Sequence, residues 1–163
     1  MGRIIFFSLG LAMLYCLPAK GQSIPSWKIA NLQSYIDHTD SVLVINFWAT
    51  FCKPCIRELP YIQSIAKKLK DKRVGILLVS LDLPEAYPGV IDSFAKANNY
   101  NAPVVWLNET NADYFCPKID EAWSGAIPAT LFINRKKGYH KLVEDEMDEK
   151  RFEKELMATL NIN

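Results

Sequence analysis

The hydrophobic positions of the chain follow two alternating patterns, one typical of buried strands and one typical of amphipathic helices. Nearly continuous apolar runs rich in β-branched residues predict strands that are covered on both faces, and they lie at 41–48, 74–81, 102–107 and 129–134. Apolar residues spaced by three and four predict helices at 28–36, from 52 to about 69, and at 89–98, 109–119 and 148–160. This alternation predicts an α/β fold, with a central mixed β-sheet flanked by helices on both faces.

Two local features refine this pattern. A turn at 135–138 and a further strand at 139–143 follow the strand at 129–134, which predicts an antiparallel hairpin. Pro60 lies inside the helix that begins near residue 52. Because a proline has no amide hydrogen and crowds the preceding turn, we expect this helix to be kinked.

Residues 1–21 have the pattern of a secretory signal peptide. Arg3 is followed by an uncharged run of about 14 residues, and Ala19 and Gly21 occupy the −3 and −1 positions of a cleavage site before residue 22. The apolar run is shorter than the roughly 20 residues that span a membrane, so a permanent anchor is the weaker alternative. Lipidation at Cys16 is weaker still, because bulky Tyr15 precedes it. We expect an exported protein with one domain at 22–163, soluble after cleavage or else anchored by an uncleaved signal.

The composition favours a globular protein without a strong charge. The chain has 163 residues, of which 50% are hydrophobic, and 19 Lys and Arg stand against 18 Asp and Glu. These values exclude a disordered chain and give no electrostatic field suited to nucleic acid or an anionic membrane surface. Recognition must therefore be local.

Three cysteines remain after the signal sequence, and two of them suggest redox chemistry. Cys52 and Cys55 are the only close pair, and so few cysteines favour a chemical role over a structural one. They lie where a buried strand ends and a helix begins, so the free amides and the positive end of the helix dipole stabilise a Cys52 thiolate. We expect Cys52 to attack a disulfide of another protein and the better shielded Cys55 to resolve the mixed disulfide.

Three further residues of this segment are candidates for a part in the reaction. Lys53 adds a positive charge beside Cys52, and Pro54 stiffens the first turn of the helix. Glu58 is one turn beyond Cys55 on the same helix face, where burial would raise its pKa and let it accept a proton from Cys55. The alternative for Glu58 is an ordinary acid near the helix N-terminus.

The segment 46–60, with the sequence NFWATFCKPCIRELP, resembles the active-site segment of the thioredoxin superfamily. It is most similar to the exported TlpA/ResA branch of bacterial thiol-disulfide reductases, which are associated with cytochrome c maturation. The sequence GAIPAT at 125–130, ahead of a strand, strengthens the resemblance, which covers roughly residues 28–163. A thioredoxin-like fold is therefore expected.

The resemblance implies roles for several residues that the local sequence pattern does not predict. The proline that matches Pro128 is cis and packs against the cysteines, the backbone at Ile127 pairs with the substrate strand, and the residue matching Trp48 flanks the site. The TlpA/ResA branch carries its glutamate at the position of Glu58, whereas thioredoxin has a buried aspartate at the position of Asn46. The chain departs from the branch in having Phe51 in place of the common tryptophan and no clear β-hairpin ahead of its first core strand.

From this resemblance we expect an enzyme that needs no metal or organic cofactor and works as a monomer in the bacterial periplasm or cell envelope. Its partners would be proteins with cysteine pairs and an upstream thiol reductant, with a membrane electron donor as one option. The Lys53-Pro54 pair, without a histidine, favours a reductase. Two alternatives stay open: a thiol peroxidase, disfavoured because Ala49 stands where such enzymes have threonine, and a redox-inert thioredoxin-like binding module.

The remaining candidates have ordinary structural explanations. Cys116 is expected to be a buried hydrophobic residue, with a redox or intermolecular role as the alternative. His38 and His140 lack ligand spacing to the cysteine pair, so no zinc site is expected. Trp123 is a core or rim aromatic that could line the substrate groove. The basic residues at 67–73 are expected to form a solvated helix end, with a docking patch as the alternative.

Overall fold

One mixed sheet of six strands forms the centre of the computed structural model, which describes residues 24–69 and 73–161. The strands are β1 (Ser26–Trp27), β2 (Val42–Trp48), β3 (Val74–Ser80), β4 (Val104–Leu107), β5 (Ala129–Asn134) and β6 (Tyr139–Val143). Their order across the sheet is β1-β4-β3-β2-β5-β6. The first four strands in this order are parallel, whereas β5 is antiparallel to β2 and β6 is antiparallel to β5. The predicted α/β fold class and the C-terminal hairpin are confirmed.

Helices cover both faces of this sheet. They are α1 (Ile29–His38), α2 (Lys53–Lys68), α3 (Gly89–Ala97), α4 (Ala112–Phe115) and α5 (Glu149–Asn161). The helix expected over 109–119 is much shorter than predicted, because α4 ends at Phe115 and a 3-10 turn, Cys116–Lys118, follows it. Pro117 explains the difference, since it has no amide hydrogen to continue the α-helical ladder. The edge strand β1 was not predicted, because two residues are too few to show an alternating pattern.

Strand β2 is central, and all seven of its residues are buried. Its alternate side chains enter two different cores, since successive residues of a strand point to opposite faces. Leu43, Ile45 and Phe47 pack on the face that carries α1 and α4. Val44 and Trp48 pack on the face that carries α2 and α5. Burial on both faces fixes the register of β2 and therefore the place where the cysteine loop leaves the sheet.

Helix α2 begins directly after this loop and runs without interruption through Pro60 to Lys68. Its buried residues include Cys55, Leu59 and Ile62, which lie one turn apart on a single face. Lys67 and Lys68 occupy its last turn, where positive charge is favourable. The two cysteines are thereby fixed at the amino end of a helix whose buried face shares a core with Val44 and Trp48 of β2.

Some predictions fall on residues outside the described ranges. They are the signal peptide at 1–21 with Cys16, together with Lys70 and Lys72 of the basic cluster. Lys67, Lys68 and Arg73 are exposed. Within residues 24–69 and 73–161, none of the helices is both long and apolar enough to cross a membrane.

The packing of α5 yields a stability prediction. Phe152 is fully buried, with ring centroids 5.7 Å from Tyr61 and 5.5 Å from Phe132. We expect Phe152→Ala to lower the free energy of unfolding by about 3–5 kcal/mol, through lost burial and a new cavity. Met157 of the same helix is 52% exposed, and Met157→Ala should change the free energy by less than about 0.5 kcal/mol. Denaturant unfolding measures both, and equal effects would contradict this account of the core.

Candidate active site

Cys52 and Cys55 form a disulfide at the start of α2, with their sulfurs 2.04 Å apart. Cys52 is the N-cap residue, and its Sγ accepts a hydrogen bond from the amide of Cys55 at 3.3 Å. Cys52 is 7% exposed, whereas Cys55 has no exposed surface. The more accessible sulfur, Cys52 Sγ, thus lies beside a donor amide and at the positive end of α2. Both features stabilise a thiolate.

A buried carboxylate holds the loop that presents Cys52. The amide of Thr50 donates to both oxygens of Asp82, at 3.0 and 3.1 Å, and the Thr50 hydroxyl donates to Asp82 Oδ1 at 2.6 Å. The amide of Cys52 donates to the carbonyl of Ala49 at 3.1 Å, which closes the turn around Thr50. Asp82 therefore fixes the turn two residues ahead of the reactive sulfur.

Asp82 is held in its turn from two sides. The hydroxyl of Ser80, at the end of β3, donates to Asp82 Oδ2 at 2.7 Å, and the indole nitrogen of Trp106 donates to the Asp82 carbonyl at 2.8 Å. The ring of Tyr87 stacks on Trp106 with the centroids 4.2 Å apart. Sequence reasoning missed Asp82, although an acidic residue directly after a buried strand was a signal that could have indicated it.

Glu58 lies under the site and is only 1% exposed. Its Oε1 accepts from the amide of Met147 at 2.5 Å, and its Oε2 accepts from the side-chain amide of Asn46 at 3.4 Å. The same amide nitrogen donates to the Thr130 hydroxyl at 3.0 Å, and Asn46 Oδ1 has no partner among the described residues. Glu58 is thus held between β2, α2 and the connection from β6 to α5.

Burial changes the acidity of Glu58. Desolvation raises its pKa to about 7, although the hydrogen bonds from Met147 and Asn46 favour the charged form and lower it in part. A carboxyl group with a pKa near neutrality can both accept and release a proton at neutral pH. This environment fits the proton-acceptor hypothesis better than that of an ordinary acid near a helix terminus.

The loop ahead of β5 approaches the disulfide from the opposite side. The peptide bond between Ile127 and Pro128 is cis, as the resemblance implies, and the Ile127 carbonyl oxygen is 3.8 Å from Cys52 Sγ. The indole nitrogen of Trp123 donates to the Ala126 carbonyl at 3.0 Å. Within residues 24–69 and 73–161, neither the amide nor the carbonyl of Ile127 has a backbone hydrogen-bond partner.

An apolar surface lies beside the cysteine pair and this loop. Phe51 is 66% exposed and Leu83 is 64% exposed, and both line a cavity of about 310 Å³ together with Ile127. Trp48 has no exposed surface and packs against Phe94 and Tyr100. Any part that Trp48 takes in substrate binding is therefore indirect, whereas Phe51, directly before Cys52, has a largely exposed aromatic side chain.

Lys53, Pro54 and Cys116 differ in how far they are buried. Lys53 is exposed and Pro54 is half-buried in the first turn of α2. Cys116 is a buried free cysteine, and burial, with the nearby charges of Glu144 and Asp113, raises its pKa to about 11. Such a thiol forms little thiolate at neutral pH, which fits a packing role.

The histidines and Trp123 lie away from the cysteine pair or beneath the surface. His140 contacts Asp120 at 3.0 Å, and His38 contacts the Ser34 carbonyl of its own helix at 2.8 Å. In the part of the chain that the structure describes, no three His, Cys, Asp or Glu side chains are grouped so as to hold a metal. Trp123 is 5% exposed and packs against Phe47, so it supports the loop before Pro128 from inside.

Comparison with known proteins places this chain in a family. The sequence profile of the AhpC/TSA family matches residues 19–138. The chain belongs to the AhpC/TSA family. A curated relative, the thiol-disulfide oxidoreductase ResA of Oceanobacillus iheyensis, is 28% identical over 142 residues, which cover 82% of this chain and 69% of that protein.

Solved structures related to this AhpC/TSA family member agree with the fold. A thioredoxin-related protein from Neisseria meningitidis serogroup B superposes with a TM-score of 0.65 at 24% identity, covering 77% of this chain and 90% of that one. StoA from Bacillus subtilis superposes with a TM-score of 0.56 at 25% identity, covering 73% of this chain and 84% of that one. The thioredoxin-like fold and the resemblance to the TlpA/ResA branch are confirmed.

The buried Glu58 of this AhpC/TSA family member leads to a prediction of pH-dependent stability. Because its pKa is about 7 in the folded protein and about 4.5 in an exposed glutamate, the native state keeps a proton between these values that the unfolded state has released. The free energy of unfolding of the disulfide form should therefore fall as the pH rises from about 4.5 to about 7, relative to Glu58→Gln. Denaturant unfolding across this range measures the difference.

Glu153 provides the control for this measurement, since it is an exposed acid on α5. Glu153→Gln should keep the pH profile of the unsubstituted protein. Parallel profiles for Glu58→Gln and the unsubstituted protein would show that Glu58 ionises normally in the folded state.

Proposed function

We propose that the chain is an exported thiol-disulfide oxidoreductase that reduces disulfides of partner proteins through Cys52 and Cys55. The observation that carries the proposal is the cysteine pair at the amino end of α2, with Cys52 as N-cap and Cys55 buried behind it. A helix N-terminus lowers the pKa of a cysteine thiol and keeps it reactive at neutral pH. The class of reaction is therefore thiol-disulfide exchange.

The reduced enzyme acts in two displacement steps. The Cys52 thiolate attacks one sulfur of the partner disulfide, which forms a mixed disulfide and releases the other partner sulfur as a thiolate that takes up a proton. Cys55 then loses its proton and attacks Cys52 Sγ, which releases the second partner sulfur. The partner gains two electrons, and the enzyme is left with the Cys52–Cys55 disulfide seen in this structure.

The difference in burial supports this assignment of the two cysteines to the two steps. The sulfur that attacks must meet a large partner, and Cys52 is the cysteine of the pair with exposed surface. Cys55 acts only within the mixed disulfide, where a proton acceptor is needed because its thiol is shielded from water. Glu58, three residues further along α2 and equally buried, supplies that acceptor.

The substrate lies along the loop before β5. An extended segment of the partner adds to the backbone of Ile127 by hydrogen bonds of the β type, which brings its disulfide to Cys52 Sγ. The 3.8 Å separation between that sulfur and the Ile127 carbonyl supports this placement. The exposed side chains of Phe51 and Leu83 offer an apolar contact for residues that flank the partner cysteine.

The setting of the reaction follows from the N-terminal pattern and the resemblance. Export by the signal at 1–21 would bring the enzyme to the periplasm or cell envelope, where structural disulfides form readily. A reductase in that setting needs an upstream thiol reductant to regenerate its dithiol. Partners with a close cysteine pair, such as an apocytochrome c with its C-x-x-C-H haem site, fit this chemistry.

Trapping of the intermediate tests the assignment of the cysteines. The reduced Cys55→Ser variant should accumulate a mixed disulfide with disulfide-bonded insulin or another disulfide substrate, because the second displacement cannot occur. Cys52→Ser should form no adduct and lose insulin reduction, because the attacking sulfur is gone. Non-reducing electrophoresis and mass spectrometry detect the adduct.

Cys116→Ser is the matched control for this experiment, because it removes a cysteine whose pKa is raised by burial. It should reduce insulin like the unsubstituted protein. An adduct on Cys55 in the Cys52→Ser variant, or consumption of hydrogen peroxide by a protein that leaves insulin intact, would contradict the proposal.

The reduction potential tests the direction of the reaction. A reductase should equilibrate with glutathione at or below about −250 mV, whereas a strong oxidant lies near about −120 mV. We expect the lower value, because the motif pairs Lys53 and Pro54 without a histidine. A potential near the higher value would make the chain an oxidase of protein thiols.

A further inference from the structure

The connection between β6 and α5, residues 144–148, contacts both halves of the site; we call it the strap. On one side it contacts α2: Glu146 binds Arg57 through two hydrogen bonds of 2.8 and 2.5 Å. The Met147 amide donates to Glu58 at 2.5 Å, and the Tyr61 hydroxyl donates to the Met147 carbonyl at 2.6 Å. The strap therefore fixes the buried acid.

On its other side the strap contacts the loop before Pro128 through Glu144. Glu144 Oε1 accepts from the Ala126 amide at 2.8 Å and from the Ser124 hydroxyl, and Oε2 accepts from the Ser124 amide at 3.2 Å. These bonds to the charged form lower the pKa of Glu144. One side chain thus occupies three donors of a loop that has no regular secondary structure.

The contacts of Glu144 act on the residue next to the proposed substrate position. The Ala126 amide is bound by Glu144, and the Ala126 carbonyl is bound by Trp123. Gly125, one residue earlier, has a φ of 93°, which favours glycine and gives the loop a sharp bend. Ile127 follows directly, so the direction in which its amide and carbonyl point depends on how Ala126 is held.

We propose that Glu144 is a positioning residue for substrate strands, which fixes the Ala126 peptide so that the Ile127 backbone is ready to pair. This inference rests on the proposed function and adds to it a specificity for partners that bind in extended form. Glu144 touches neither cysteine by any hydrogen bond in the described residues, so it acts through the loop. If the Ile127 backbone is already held in place, binding does not incur the entropic cost of ordering the loop.

This role predicts that a substitution of Glu144 affects the reduction of protein disulfides more than the reduction of small disulfides. A protein disulfide such as that of insulin reaches Cys52 when its strand pairs with the Ile127 backbone. The small aromatic disulfide DTNB reaches Cys52 without strand pairing. In Glu144→Ala the loop loses three hydrogen bonds that it donates to a charged acceptor, which should disorder the loop and raise the KM for insulin by about tenfold. The kcat for insulin and the rate with DTNB should stay within about twofold, because the cysteines and Glu58 are untouched.

Two further variants sharpen the experiment. Glu146→Ala removes an acid of the same strap that binds Arg57 and not the loop, so it should leave the KM for insulin within about twofold. Glu144→Gln keeps a carbonyl acceptor for the Ala126 amide and should restore part of the lost affinity. Hydrogen-deuterium exchange provides a readout apart from activity, since the Ala126 amide should exchange faster in Glu144→Ala.

The outcomes separate this inference from the proposed function. If the unsubstituted protein reduces insulin and Glu144→Ala shows the same KM, or if insulin and DTNB slow by the same factor, the positioning role is overturned. Unchanged exchange at Ala126 would also overturn it. If the unsubstituted protein reduces neither disulfide, the proposed function fails, and the role of Glu144 fails with it.

Discussion

The hydrogen bond from the Cys55 amide to Cys52 Sγ is the interaction around which this structure is arranged. It requires the sulfur to lie at the first turn of α2, within the reach of an amide that has no partner inside the helix. That position is reached because β2 is buried on both faces and ends at Trp48, so the following turn starts from a fixed point. Asp82 then holds the turn through Thr50.

Two buried carboxylates, Asp82 and Glu58, flank the cysteine loop, and their different surroundings give them different roles. Asp82 receives donors from Thr50 and Ser80 and serves as an acceptor that shapes the turn. Burial raises the pKa of Glu58 to about 7, because the few hydrogen bonds that it accepts offset only part of the lost hydration. The hydrogen bonds of Asp82 therefore fix the geometry of the turn. Glu58 can change its protonation at the pH where the thiols react.

Local patterns in the sequence were sufficient to predict the layers of the fold and the reactive pair. Continuous apolar runs predicted the buried strands, and the placement of Cys52 and Cys55 after one of them predicted the helix N-terminus. Contacts between distant residues left no such signal: Met147 is 89 residues from Glu58, and Glu144 is 18 residues from Ala126. Such pairs become visible only when the strand order is known, because the order decides which loops meet at one edge of the sheet.

The strap shows why the site is built from segments so far apart in the chain. Its ends are set by β6, which pairs with β5, and by α5, whose Phe152 packs under the sheet. The core thereby determines where Glu144 and Met147 can reach, and these two residues hold the loop before Pro128 and the buried Glu58. This connection links the proposed position for the substrate strand to the proposed proton acceptor, and a two-step exchange at a single sulfur needs both of them in fixed places.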